Sequence, residues 1–167
     1  MDCCIVFRTN RFLITLQGYC AITRVVLSPM PVLMNAHWSE RRELFKTTLA
    51  HLLQPFLEVV NGRDVEGLGD NKMKFVSFVF TACAWIVRGC RDLRSEAKLF
   101  VKEQLDPVFN VALGVFEEMI ANAMITNAIV KFFLRAFECL KGELSMPYIL
   151  ETIQCVTRLG ASRVDMQ

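Results

Sequence analysis

The stretch KFFLRAFECLKGELSMPYILETIQCV, Lys131 to Val156, decides how the chain is read. Two apolar segments flank a short polar link, KGELS. In the first, Ile129, Val130, Phe132, Phe133, Leu134, Ala136, Phe137 and Leu140 leave one narrow polar stripe of Asn127, Lys131, Arg135 and Glu138, the period of an α-helix. An apolar arc that wide must touch neighbours on two sides. Thr126 is the expected N-cap, and Gly142 the expected stop, where the chain can turn left-handed at little cost. In the second segment Ser145 caps, Pro147 sits in the first turn and Gly160 closes. Met146, Ile149, Leu150, Ile153 and Val156 form the predicted buried stripe. Neither segment carries a nucleophile with a base beside it, so the pair is expected to stack rather than to react.

Working upstream, the helical pattern continues. Ser95 is the expected cap of a helix whose apolar face is Leu105, Val108, Phe109, Ala112, Phe116, Met119 and Ile120. Asp106-Pro107 interrupts it, so two short helices and one kinked helix both stay open. Before it, MKFVSFVFTACAWIVRGC (residues 73–90) confines its polar residues to a stripe of Lys74, Ser77, Thr81 and Arg88. Its FVSFVF portion has strand character, but the length of the apolar segment favours helix. NGRDVEGLGDNK (residues 61–72), with three glycines, is the clearest loop. Ser39 is the expected cap of an earlier helix with Phe45, Leu49, Leu52 and Phe56 on one face, and Pro55 is expected to kink or shorten it.

No convincing sheet pattern emerges. If Phe12 to Leu27 is also helical, helix pairs begin near residues 13, 72 and 127, a period of about 55 to 59 against the roughly 40–47 of ordinary HEAT or armadillo units. The expected architecture is all-α: HEAT-like antiparallel helix pairs stacked as an α-solenoid of about five to six helices. Residues 1–34 form an N-terminal apolar segment and residues 35–167 the helical-repeat segment. The apolar run RFLITLQGYCAITRVVLS (residues 11–28) has some likeness to a signal peptide, but Gln17 and Gly18 interrupt it and Arg24 closes it short of a membrane span.

Hydrophobic residues make up 53% of the 167 and charged residues 22%, which excludes a disordered chain and calls for burial on several sides of each helix. A net charge of +2 is too small to point to nucleic acid. Seven cysteines occur without any Cys-x-x-Cys and mostly among apolar residues, so they read as reduced, buried thiols. His37 and His51 belong to no metal-ligand spacing. Gly67-Leu68-Gly69 lacks the rest of a phosphate cradle. The adjacent Glu117 and Glu118 point in different directions on a helix. No catalytic residue, metal ligand or cofactor site is expected, and the chain reads as a non-enzyme.

One cluster stands out. RGCRDLRSEAK gathers Arg88, Arg91, Arg94 and Lys98 around one predicted helix–helix turn, with Asp92 and Glu96 offsetting part of the charge. The plain reading is a solvated turn with cations near a helix C-terminus. The sharper one is an edge that meets an acidic protein partner.

Three segments together resemble the karyopherin family of nuclear transport receptors, on the exportin side. VVLSPMPVLMNAHWSERREL is similar through Pro29, Pro31 and Trp38. QLDPVFNVALGVFEEMI is similar at Gln104, Leu105, Val108, Ala112, Leu113, Phe116 and Ile120. ITNAIVKFFLRAFECLKGELSMPYILETIQCV is similar through Phe132, Phe133, Phe137, Leu140, Pro147, Ile153 and Gln154. The likeness runs from about Cys20 to Val156 and rests on the order of the motifs, each of which alone is helical core. Asp106-Pro107 stands where the family has an unbroken helix, and residues 1–19 match nothing in it. The resemblance implies a helical solenoid that carries protein cargo through nuclear pores, moving between nucleus and cytoplasm. It implies export of actin or profilin-bound actin with the GTP-bound Ran GTPase, which the family binds through regions outside this chain. No Ran-contacting residue is carried over, and neither nucleic acid nor membrane is an implied partner. The rival is a stand-alone helical bundle, a scaffold or adaptor with no transport role.

Overall fold

Aromatic and aliphatic residues at helical spacing need partners, and the fold supplies them in two layers. The computed structural model describes residues 6–9, 12–15, 38–65 and 68–164. Five α-helices make the body: α1 (Trp38–Val60), α2 (Lys72–Arg88), α3 (Ser95–Glu118), α4 (Ala123–Leu140) and α5 (Met146–Val164). A 3-10 turn, Gly69–Asn71, leads into α2. The expected all-α class is what the structure shows.

The exception is N-terminal. Strands β1 (Val6–Thr9) and β2 (Phe12–Thr15) pair antiparallel with Val6 opposite Thr15 and Thr9 opposite Phe12. This corrects the expectation of no sheet, and the helix proposed for Phe12 to Leu27 is strand over Phe12–Thr15. A run as rich in β-branched and aromatic residues as FLIT suits a pleated ribbon. The rest of that proposed helix, together with Pro29, Pro31 and His37, lies outside the described residues.

Several helix limits differ from the sequence reading. α1 runs through Pro55 and α3 through Asp106-Pro107, each as one helix. α1 already includes Ser39 and α3 starts at Ser95, whose preceding Arg94 is extended and offers no side-chain cap. α4 is capped by Asn122, not Thr126. The Asn122 carboxamide oxygen accepts from the amides of Met124 (3.2 Å) and Ile125 (3.3 Å). Thr126 is buried in the first turn, and its hydroxyl donates to the carbonyls of Met119 and Ile120 at the end of α3. Gly142 is not left-handed, because Lys141 closes α4 in right-handed geometry. Ser145 does cap α5, its hydroxyl accepting from the Tyr148 amide at 3.4 Å. α5 continues past Gly160 to Val164.

The one stop that needs a glycine is at α1. Gly62 has φ +76°, its amide donates to the Val59 carbonyl, and the Arg63 amide reaches back to Glu58. That is the Schellman arrangement, which satisfies carbonyls the helix leaves open. The loop beyond it is anchored by Leu68, buried in the core.

Helices α1, α3 and α5 form one layer and α2 and α4 the other. Within a layer the helices run the same way. Near the N-terminal ends of α2 and α4, Ser77 donates to the Met124 carbonyl (3.3 Å); at their C-terminal ends, Arg91 just past α2 meets Glu138 in the last turn of α4 (3.6 Å). α1 lies along α3 with the Phe45 and Phe100 rings 5.9 Å apart, and α3 along α5 with Phe109 and Tyr148 5.4 Å apart. Across the layers, α1 packs on α2 and α3 on α4. The arrangement is solenoid-like, but its pairing differs from the sequence reading. The most intimate neighbour of α4 is α2, and α5 docks on α3, so the Lys131–Val156 stretch holds members of two pairs.

Aromatic rings fill the junction. Phe56 meets Phe80 at 5.3 Å, Phe80 meets Phe132 at 6.0 Å, Phe132 meets Phe109 at 4.9 Å, and Phe109 meets Tyr148, one ring from each of the five helices. Edge-on and tilted pairs of this kind add about 0.5–1.5 kcal/mol each beyond the area they bury. The predicted faces of α1 and α3 are in this core: Phe45, Leu49, Leu52 and Phe56, and Leu105, Val108, Phe109, Ala112 and Phe116, are all buried.

Candidate interaction surfaces

The basic cluster resolves into two parts. Arg88 is the last residue of α2 and its guanidinium stacks over the Trp85 ring, 5.1 Å from the centroid. Arg91 lies in the following turn and reaches Glu138 of α4. Arg94 is exposed just before α3, and Lys98 is half-buried on α3, in the other layer. Neither lines the groove in which Arg88 stands.

What the structure brings to Arg88 instead is the polar stripe of α4. Thr81, Ala84, Trp85 and Arg88 of α2 and Lys131 and Arg135 of α4 line a groove of about 380 Å³ between the two helices. The sequence signalled both stripes but not their meeting, because the parallel stacking of α2 on α4 is set by core packing. Ser77, read as part of an outer stripe, is buried by that stacking. Glu138 is engaged from two sides, by Arg135 at 2.6 Å and by Arg91. Such exposed pairs contribute little stability.

The two layers differ in charge. α2 carries Lys72, Lys74 and Arg88 with no acidic residue, and α4 adds Lys131 and Arg135 against Glu138. α3 sets Glu96, Glu103, Asp106, Glu117 and Glu118 against Lys98 and Lys102. Glu117 is tied to Arg158 of α5 and accepts from the Cys155 thiol, while Glu118 lines a separate hollow by the ends of α1 and α2. The two carboxylates therefore serve different neighbours.

A third surface is apolar. Met146, Leu150 and Ile153 of α5, predicted to be buried, are 65, 51 and 51% exposed. Ile149 and Val156 of the predicted stripe do pack against the core, and Tyr148, Thr152 and Cys155 face inward with them, Thr152 and Cys155 buried. The helical period holds, and the buried face is rotated from the predicted stripe so that it keeps Ile149 and Val156 and leaves out Met146, Leu150 and Ile153. The exposed stripe is turned away from the Tyr148–Cys155 side that meets α3. On α4, Leu134 is 55% exposed between the half-buried Val130 and Phe137, on the side turned away from α2. Both helices thus present an apolar flank in the same sense, beyond the last packed neighbour of each layer.

The described thiols are Cys83, Cys90, Cys139 and Cys155, all buried and free. Burial pushes Cys83 and Cys90 up to about 12, and burial with the Glu117 carboxylate raises Cys155. A thiol so protonated is a poor nucleophile near neutrality. Among the described residues no group of three His, Cys, Asp or Glu side chains could hold a metal ion, and no helix is long and apolar enough to cross a membrane.

Over 133 residues, 77% of this chain, the sequence is 25% identical to exportin-6 of Dictyostelium discoideum. The chain spans 13% of that protein's length. No protein-family profile matches the chain, and no solved structure matches it. The similarity supports an exportin-like relationship.

Proposed function

We propose that the chain is a helical-repeat segment of an exportin-like nuclear export receptor, a binding element rather than an enzyme. It contributes, with further HEAT-like repeats, to Ran-GTP-dependent export of actin or profilin–actin, and the protein passes between nucleus and cytoplasm. The observation that carries this reading is the apolar flank of α4 and α5. A solenoid repeat touches only its neighbours, and a repeat inside the stack leaves an apolar face for the next one. Leu134, Met146, Leu150 and Ile153 are placed where such a neighbour would stack. The similarity to a relative of which this chain covers 13% supports the same reading.

The test is a pull-down with the full-length gene product. Capture of actin or profilin–actin that rises with GTP-loaded Ran and not with GDP-loaded Ran is the expected result. Capture of neither Ran nor actin would discredit the proposal.

One observation favours the rival scaffold. The ring cluster around Phe132 is closed on itself, and no buried side-chain polar atom among the described residues lacks a hydrogen bond. Sedimentation of this chain alone separates the two. Self-association through the flank supports the solenoid segment, and a clean monomer that keeps its thermal stability on dilution supports the bundle.

A further inference from the structure

We infer that the groove between α2 and α4 is a docking site for an acidic, carboxylate-rich peptide segment with an apolar side chain among its carboxylates. Its walls carry Arg88, Lys131 and Arg135, and its floor is the small Thr81 and Ala84 beside Trp85, which is 37% exposed. Every cation of the groove stands on a helix with at most one acidic residue. That one acid, Glu138, is bridged by Arg91 and Arg135, so Arg135 is partly neutralised and Arg88 and Lys131 supply most of the positive potential of the groove.

The chemistry suits carboxylates. Stacking on Trp85 holds the Arg88 guanidinium in place, so its planar fork can take a carboxylate through two N–H donors with less ordering left to lose. Lys131 adds a point charge across the groove. Ala84 and the Trp85 ring offer an apolar seat between the cations, so a strand of acids alone would leave part of the groove unfilled. A volume of about 380 Å³ takes a few side chains and not a folded domain. A nucleic acid is the poorer fit, because the cations form a short cluster rather than a track and the whole chain carries only +2. The inference does not depend on the transport reading, since a scaffold with this groove would bind the same segment.

The experiment is fluorescence anisotropy with the full-length gene product and a labelled heptapeptide of aspartates and glutamates around one central phenylalanine. Saturable binding that weakens as salt rises is expected. Lys131→Glu should weaken it about ten-fold, and Arg88→Gln by a smaller factor. Lys46→Glu, a like charge change in the other layer, should leave it unchanged. Circular dichroism melts of each variant establish that it is folded, and Arg88→Gln serves if Lys131→Glu is not. No saturable binding, equal weakening by Lys46→Glu, or tighter binding of a single-stranded oligonucleotide of equal charge would each overturn the inference. The Ran and actin pull-down is read separately, so loss of one result leaves the other standing.

Discussion

Phe132 and Leu134 lie two residues apart on α4 and lead opposite lives. Phe132 is fully buried, with the rings of Phe80, Phe109 and Phe133 within about 6 Å of its own. Leu134 is 55% exposed on the flank beyond the last packed helix. Both obey the same helical pattern, and neither residue type tells the two environments apart. A wide apolar arc reports that neighbours are needed on two sides. Which of those neighbours this chain supplies is decided by the stacking of α2, α3 and α5.

The comparison breaks most readily at its buried end. Phe132→Ala removes the ring that links the two layers and should cost about 3–5 kcal/mol, read as a lower midpoint in thermal or chemical unfolding. A variant that unfolds at the parent midpoint would mean the rings do not form one junction. Alkaline pH probes the same interior without a mutation. The folded state holds the Cys83 and Cys90 protons up to about 12 and raises Tyr148, by burial in each case, whereas in the unfolded chain the thiols ionise near the ordinary value of 9.0. Folded pKa values above the unfolded ones favour the native state fully below about pH 9, and that stability is lost as pH rises toward about 12. Urea midpoints should therefore fall steadily across this window, and Cys83→Ala should flatten the slope. A midpoint independent of pH up to about 11 would count against buried thiols.

What the sequence made legible follows the same division. Periodicity located the buried face of α1 and that of α3 as far as Phe116, with Met119 and Ile120 half-buried past the helix end, because 3.6-fold spacing of large apolar side chains is a local property. On α5 it found Ile149 and Val156 but set the face too far round, because Met146, Leu150 and Ile153 are as apolar as the residues that turn inward. It also gave Thr126 the capping role that Asn122 holds. Both residue types can cap, and the choice was made by the end of α3, whose Met119 and Ile120 carbonyls take the Thr126 hydroxyl. Arg88 and Arg91 were legible as a charged turn. The grouping of Arg88 with Lys131 and Arg135 was not, since it depends on how α2 stacks along α4.

Smaller effects sharpen the contrast. Asn122→Ala removes two acceptor contacts at the start of α4 and should cost about 1 kcal/mol, while Thr126→Val tests whether the Thr126 hydroxyl matters as much. Arg91→Ala should change stability by no more than about 0.5 kcal/mol, because its pair with Glu138 is exposed on both sides. A loss as large as that of Asn122→Ala would mean the turn after α2 is held by charge.

The smallest expected change in this chain, and the most telling, is Leu134→Glu. A half-exposed leucine with no packed neighbour on its outer side among the described residues leaves little burial to lose, so the midpoint should move by no more than about 0.5 kcal/mol. In a full-length product whose next repeat stacks on α4, the same substitution puts a charge into a covered interface. It should then cost several kcal/mol there. The comparison is between contexts, not between residues, so a general dislike of glutamate in α4 would lower both midpoints together. Indifference in the short chain with damage in the long one is the result the open flank requires. Equal indifference in both would make Leu134 ordinary surface, and the fold would then close on the rings around Phe132 without further repeats.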